Sequence, residues 1–192
     1  MHEQLIKSIQ DKITLSPEEI EKVKHFYIPK KIRKRQYLLN AGDVCQYIAF
    51  VEKGLLRSFT VDNDGGEHVI QFALEGWLIG DMSSFLSGDE ATYNIEALED
   101  AELLLLSKPS MEDMLHTVPK METYFRILMQ NHIVALNRRV ISSMSDTAEQ
   151  KYLKLMNNCP GIVNRASQQN IASFLGITPE TLSRIRKQVA QK

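Results

Sequence analysis

A chain of 192 residues, 43% hydrophobic and 24% charged, has the balance of a soluble globular protein of one or two domains able to bury a core. No apolar run approaches the roughly 20 residues of a bilayer span, and two distant cysteines, Cys45 and Cys159, form neither a disulfide framework nor a metal knuckle, so no membrane association and a cytoplasmic setting are expected. The net charge of −1 hides an asymmetry: from Ala148 onward seven Lys/Arg face two acids (+5), whereas the remainder carries 16 cations and 22 acids (−6), as expected when one small domain meets a polyanion.

The charged opening, MHEQLIKSIQDKI, lacks the apolar centre of a signal peptide. Glu3 to roughly Phe26 reads as helical, with Ser16 as an N-cap, Pro17 at the first helical position and acids in the first turn. From Ile28 to about Leu106 the texture changes to short alternating runs, such as YIAFVEKGLLRSFTVDNDGGEHVIQFAL, YNIEAL and AELLLLS. Lys53-Gly54 and Asp64-Gly65-Gly66 supply tight turns. Several strands without intervening helices predict an antiparallel sandwich or barrel.

After Pro109 the texture changes again. Pro119 to Met144 runs without an internal Gly or Pro, and Met121, Phe125, Leu128, Leu136 and Val140 form one stripe that Ile127, Ile133, Val134 and Ile141 widen. Such a helix spans about 37 Å, more than a small domain needs for its own core. One apolar face for the β-domain and one for a second copy of the chain is the expectation; full burial within one chain is the alternative. Three further helical segments follow, AEQKYLKLMNN, SQQNIASFLG and TPETLSRIRKQV, with Cys159-Pro160-Gly161 breaking the first from the rest.

The last two carry the chemistry. Ser167 caps a helix that Gly176 ends in the left-handed conformation, and Thr178 caps the next, with Pro179 at its first position. Apolar Ile171, Leu175, Ile177, Leu182 and Ile185 complete a helix-turn-helix, whose second helix enters the major groove. Glu180 can accept from a cytosine amino group and Arg184 can grip guanine. Thr181 and Ser183 can bond phosphate or base, and Arg186 and Lys187 add phosphate attraction. Ser167, Gln168 and Gln169 lie at a helix N-terminus suited to phosphate. The alternative is an exposed amphipathic helix with Glu180 and Arg184 paired at i, i+4.

Glycine-anchored β-roll, long helix and NIASFLGITPETLSRIRK together resemble the Crp/Fnr family of bacterial transcription regulators. The resemblance implies an α+β fold: an antiparallel β-roll sensor of the double-stranded β-helix or jelly-roll kind, a long dimerisation helix and an all-α helix-turn-helix domain, here ending without a C-terminal wing. Boundaries fall at 1–118, 119–145 and 146–192. It carries base- and phosphate-contacting roles to Glu180, Thr181 and Arg184, while Pro179 stands where an arginine often reads a base. Partners are then double-stranded DNA, a second copy of the chain and RNA polymerase.

NAGD, VEKGLLR, DNDGGEHVIQF and WLIGDMSSF fall in the family's cyclic-nucleotide-binding order. The corresponding ligand pocket would comprise Gly80, Asp81, Met82, Ala91, Thr92 and His132. Ala91-Thr92 stand where cyclic-AMP binders carry arginine and serine, and burying a cyclic phosphate without that guanidinium costs several kcal/mol. Cyclic AMP is therefore not the expected effector, and whether another small effector gates DNA binding is left open. Two distant thiols exclude an iron–sulfur cluster, no cofactor or metal is expected, and His132 is the histidine best placed for a haem. The rivals are a β-barrel metalloenzyme of the cupin type, for which His68 lacks a partner histidine, and a ligand-binding module without DNA contact. A regulator, not an enzyme, is the reading preferred.

Overall fold

Ser16 opens the folded architecture as expected, in a computed structural model that describes residues 2–191. Its hydroxyl accepts from the Glu19 amide while the Glu19 carboxylate accepts from the Ser16 amide, a reciprocal cap on α2 (Pro17–His25). The preceding α1 (Glu3–Gln10) is capped from a distance: the buried Glu52 carboxylate accepts from the Leu5 amide at 2.8 Å.

Eight strands follow: β1 (Ile28–Ile32), β2 (Tyr37–Leu39), β3 (Tyr47–Lys53), β4 (Leu56–Val61), β5 (Glu67–Ala73), β6 (Leu78–Ile79), β7 (Asn94–Ala97) and β8 (Ala101–Ser107). They form two antiparallel four-stranded sheets, ordered β1-β8-β3-β6 and β2-β7-β4-β5. The β3–β4 turn requires glycine twice over: Gly54 has φ +108°, and a Cβ there would lie 2.7 Å from that of Ala101. A short α3 (Met82–Ser87) interrupts the strands, and α4 (Lys108–Thr117) follows them, with the Ser107 side chain capping it.

β4 is covered on both sides, with Leu56, Arg57, Ser58 and Phe59 all buried although two of the four are polar. Leu56 joins the core inside the roll, with Phe50, Ile95, Leu104 and helix residues such as Leu5, Met114 and Met121. Leu55 and Phe59, with Val69 and Phe72 of β5, instead meet the C-terminal helices through Tyr152, Ile162, Ile171 and Leu175. Two cores thus share one sheet.

The long helix is α5 (Lys120–Ser145). Its apolar residues divide along its length, packed on the roll in the first half and exposed in the second. Met121 and Tyr124 are buried, with Phe125 and Leu128 packed on the roll core, whereas Ile133, Val134, Leu136, Val140, Ile141 and Met144 are 44–84% exposed in the single chain. Then come α6 (Ala148–Asn158), α7 (Pro160–Arg165), α8 (Gln168–Leu175) and α9 (Pro179–Ala190). Pro160 does more than break α6: with no N–H to lose and φ already helical, it starts α7. Among the described residues no helix is long and apolar enough to cross a membrane.

Candidate nucleic-acid interface

Local capping builds the helix pair α8–α9. The Ser167 side chain accepts from the Asn170 amide at 3.2 Å, and Gly176, at φ +67°, closes α8 with its amide bonded back to Ser173. The Ile177 amide reaches the Ala172 carbonyl at 3.0 Å, and Thr178 then accepts from the Thr181 amide at 3.2 Å. Leu182 and Ile185 turn inward and are buried. Glu180, Arg184 and Lys187 are exposed, with Ser183 and Arg186 half-buried. Pro179, Glu180, Ser183, Arg184 and Lys187 line one shallow recess of about 470 Å³.

The side chains differ in readiness. The Thr178 and Thr181 hydroxyls are 3.2 Å apart and engaged in the cap. The helix's own first-turn amide and the Thr178 hydroxyl hold the Glu180 carboxyl below its ordinary range. Glu180 and Arg184 form no ion pair, and Arg184 has none with any other described residue, so its guanidinium is uncommitted. Ser167, Gln168 and Gln169 are exposed at the start of α8.

In the roll, Gly80, Asp81, Met82, Ala91 and Thr92 do come together, but around themselves. Asp81, 2% exposed, accepts from the Ser84 amide at 3.2 Å and from the Thr92 amide and hydroxyl at 3.0 and 3.3 Å. The Tyr93 hydroxyl donates to the Gly80 carbonyl at 2.9 Å, and buried Ala91 adds no charge. His132 does not join this group; it is exposed on α5. Asp81 is thus already engaged by Ser84 and Thr92, and Ala91 and Thr92 place no cation beside it. Among the described residues, no group of three or more His, Cys, Asp or Glu is placed to hold a metal ion.

Sequence reasoning missed the polar clamp between the roll and the C-terminal helices. Arg57, 7% exposed on β4, donates to Glu96 at 2.7 and 2.9 Å, to Glu67 at 2.6 Å and to Asn170 of α8 at 2.8 Å, and lies over the Phe59 ring. Burial pulls its pKa down, but Glu67 and Glu96 more than offset that and the net direction is up. Arg165 at the end of α7 binds Glu75 twice at 2.8 Å and also Glu99, holding the Glu75 carboxyl down at about 2. Along β5, an edge strand, the Ser173 hydroxyl takes the Val69 amide (2.9 Å) and gives to the Glu67 carbonyl (2.8 Å), while Arg139 of α5 donates to the Ile70 and Val69 carbonyls. One signal was available: an arginine inside LLRSF must find partners if that strand is buried.

Residues 29–118 match the family model described as the cyclic nucleotide-binding domain. The chain is 26% identical over 187 residues to the fumarate and nitrate reduction regulatory protein of Vibrio cholerae, covering 90% of this chain and 73% of that one. It is 25% identical over 184 residues to the regulatory protein HlyX of Actinobacillus pleuropneumoniae, covering 90% and 76%. In fold it is similar to FixK2 from Bradyrhizobium japonicum (TM-score 0.74, 18% identity, 86% and 85% covered). It is likewise similar to the c-di-GMP responsive regulator CLP of Xanthomonas campestris (TM-score 0.73, 15% identity, 92% of each chain). These relatives are regulators, not enzymes.

Proposed function

We propose that this chain is a DNA-binding transcription regulator of the Crp/Fnr family, two copies of which read a palindromic site through residues 178–189 of each. It is a regulator rather than an enzyme. One observation carries the assignment of the reader: Glu180, Ser183, Arg184 and Lys187 share a single exposed recess, backed by buried Leu182 and Ile185, and Arg184 is held by no carboxylate. Arg184 grips guanine with two parallel bonds, Glu180 accepts from cytosine, and Lys187 holds phosphate. Ser167, Gln168 and Gln169 meet the backbone at the start of α8, while Thr178 and Thr181 shape the helix end that approaches the bases.

In the same proposal, residues 1–118 act as the sensor roll, 119–145 as the dimerisation helix and 146–192 as the DNA-binding part, in a cytoplasmic protein that also meets RNA polymerase. The separation of the two readers, near 34 Å for one turn of DNA, sets affinity. Asp81's closure on Thr92 speaks against cyclic AMP as effector. Selection from a palindromic library followed by binding assays tests the reading. Wild type should show a defined preference; Arg184→Ala should bind the selected site about 10- to 100-fold more weakly and lose discrimination at one base pair per half-site. Equal binding by the two proteins would remove Arg184 from the reader.

A further inference from the structure

Side chains alternate along β4: Leu56 belongs to the core inside the roll, and Phe59, with Leu55 just before the strand, to the core shared with the C-terminal helices. Arg57 falls on the second side, so its guanidinium lies among apolar contacts and has to be paired. Glu96, opposite it on β7 and itself 9% exposed, meets Nε and Nη2 at 2.9 and 2.7 Å, and Glu67 meets Nη1 at 2.6 Å. Two carboxylates already more than neutralise one cation. The remaining bond, from Nη1 to Asn170 Oδ1 at 2.8 Å, answers no need of charge. It supplies direction, crossing from the roll to a helix 113 residues further along the chain.

Asn170 is the third residue of α8 and is held twice. Its amide donates to the Ser167 side chain at 3.2 Å, and its side chain accepts from Arg57. The exposed start of α8, Ser167 to Gln169, is thereby tied to β4. Three residues on, about 4.5 Å along the helix axis, the Ser173 hydroxyl is fixed between the Val69 amide and the Glu67 carbonyl of β5. The apolar core presses α8 onto the sheet, but burial is non-directional. Ser173 alone would be a pivot; with Asn170 it fixes the tilt of the helix. That tilt passes to α9, because the Ile177 amide bonds the Ala172 carbonyl and Leu182 and Ile185 are buried in the same core.

We propose that Arg57 is a positioning residue for DNA reading: acting through Asn170, it sets the tilt of α8 and so the separation at which two copies present α9. This rests on the reading above, in which α9 meets the bases. Arg57 itself touches no DNA; it acts from behind the reader.

The full-length protein is measured on a single half-site and on palindromes with the spacer at its selected length, one base pair longer and one shorter. Wild type should favour the selected spacing by about tenfold or more. Asn170→Ala leaves the carboxylate pairs of Arg57 in place. It should keep the ranking of bases and bind the single half-site within about twofold of wild type, while its spacing preference falls to about threefold or less. Arg57→Lys keeps a charge for Glu67 and Glu96 but loses the planar fork, and should flatten the spacing preference in the same way. The double variant Arg57→Lys/Asn170→Ala should be no flatter than either single one, because both remove one bond. Asn170→Ala alone decides if Arg57→Lys fails to fold. An unchanged spacing preference in Asn170→Ala, an equal loss on every duplex, or additive losses in the double variant overturns the proposal. Arg184→Ala keeps the two readings apart: it should lose base discrimination and retain the wild-type spacing preference. A wild type that selects no sequence removes the reader and the proposal together, whereas indifference to spacing with intact base discrimination removes only the proposal.

Discussion

At the scale of the residue, Arg57 and Arg139 show two ways of holding a guanidinium, one buried and one half-buried. Arg57 is surrounded by carboxylates, whereas Arg139 has only the Ile70 and Val69 carbonyls and the Phe174 ring, 4.3 Å away. Burial accordingly pulls the Arg139 pKa down. Losing an unpaired, half-buried charge offsets the loss of its hydrogen bonds when the packing stem stays, so Arg139→Met should change global stability by less than about 1 kcal/mol in urea titrations. Amide exchange in β5 and α8 should nevertheless quicken, because the tie from α5 to the edge strand is gone. Unchanged exchange there would mean that Arg139 merely fills space. Neither arginine's role was legible in the sequence, since their partners lie between 10 and 113 residues away and only the folded sheet chooses them. Glu180 and Arg184, by contrast, were legible because their setting is set by a cap and one helical turn.

Among elements, the pair α8–α9 was read almost residue by residue: Ser167, Gly176, Thr178 and Pro179 each act within four positions of themselves. What α8 rests on could not be read that way. It docks on β5 through Ser173, on β4 through Asn170 and on the shared apolar core, and α7 adds Arg165. This docking has a pH signature. Arg165 lowers the Glu75 carboxyl from an ordinary 4.5 to about 2, so the pair's contribution is complete above roughly 4.5 and is lost as pH falls toward 2. Glu75→Gln should therefore be less stable than wild type by about 1 kcal/mol at pH 7, a modest figure because the pair is partly exposed. The difference should shrink progressively below pH 4.5 in urea midpoints measured across that range. A constant difference would place the loss in packing or in the Gly54 amide bond that Glu75 also accepts.

For the molecule as a whole, the sequence foretold a roll, a long helix and a C-terminal helix pair, and it missed that the roll and the C-terminal helices share a core through β4. Strand alternation announces a buried face but not whose side chains cover it. The exposed apolar run from Ile133 to Met144 is the surface that the proposed dimer would cover. Ile141→Glu, at a position 65% exposed in the single chain, should leave the fold intact, yield monomers in sedimentation and abolish the advantage of a palindrome over a single half-site. Persistent dimers would locate the seam elsewhere. Where α5 ends, Asp146 accepts from Ser142 of the helix and from Lys154 of α6 at 2.6 Å, bracing the corner between α5 and the C-terminal helices. In the proposed dimer, two-fold symmetry makes that corner unforgiving. An outward displacement of one reader along the DNA axis is matched by an equal and opposite one in its partner, so the error in their spacing is doubled. With successive base pairs about 3.4 Å apart, a drift of only about 1.7 Å per copy puts the two readers a whole step out of phase.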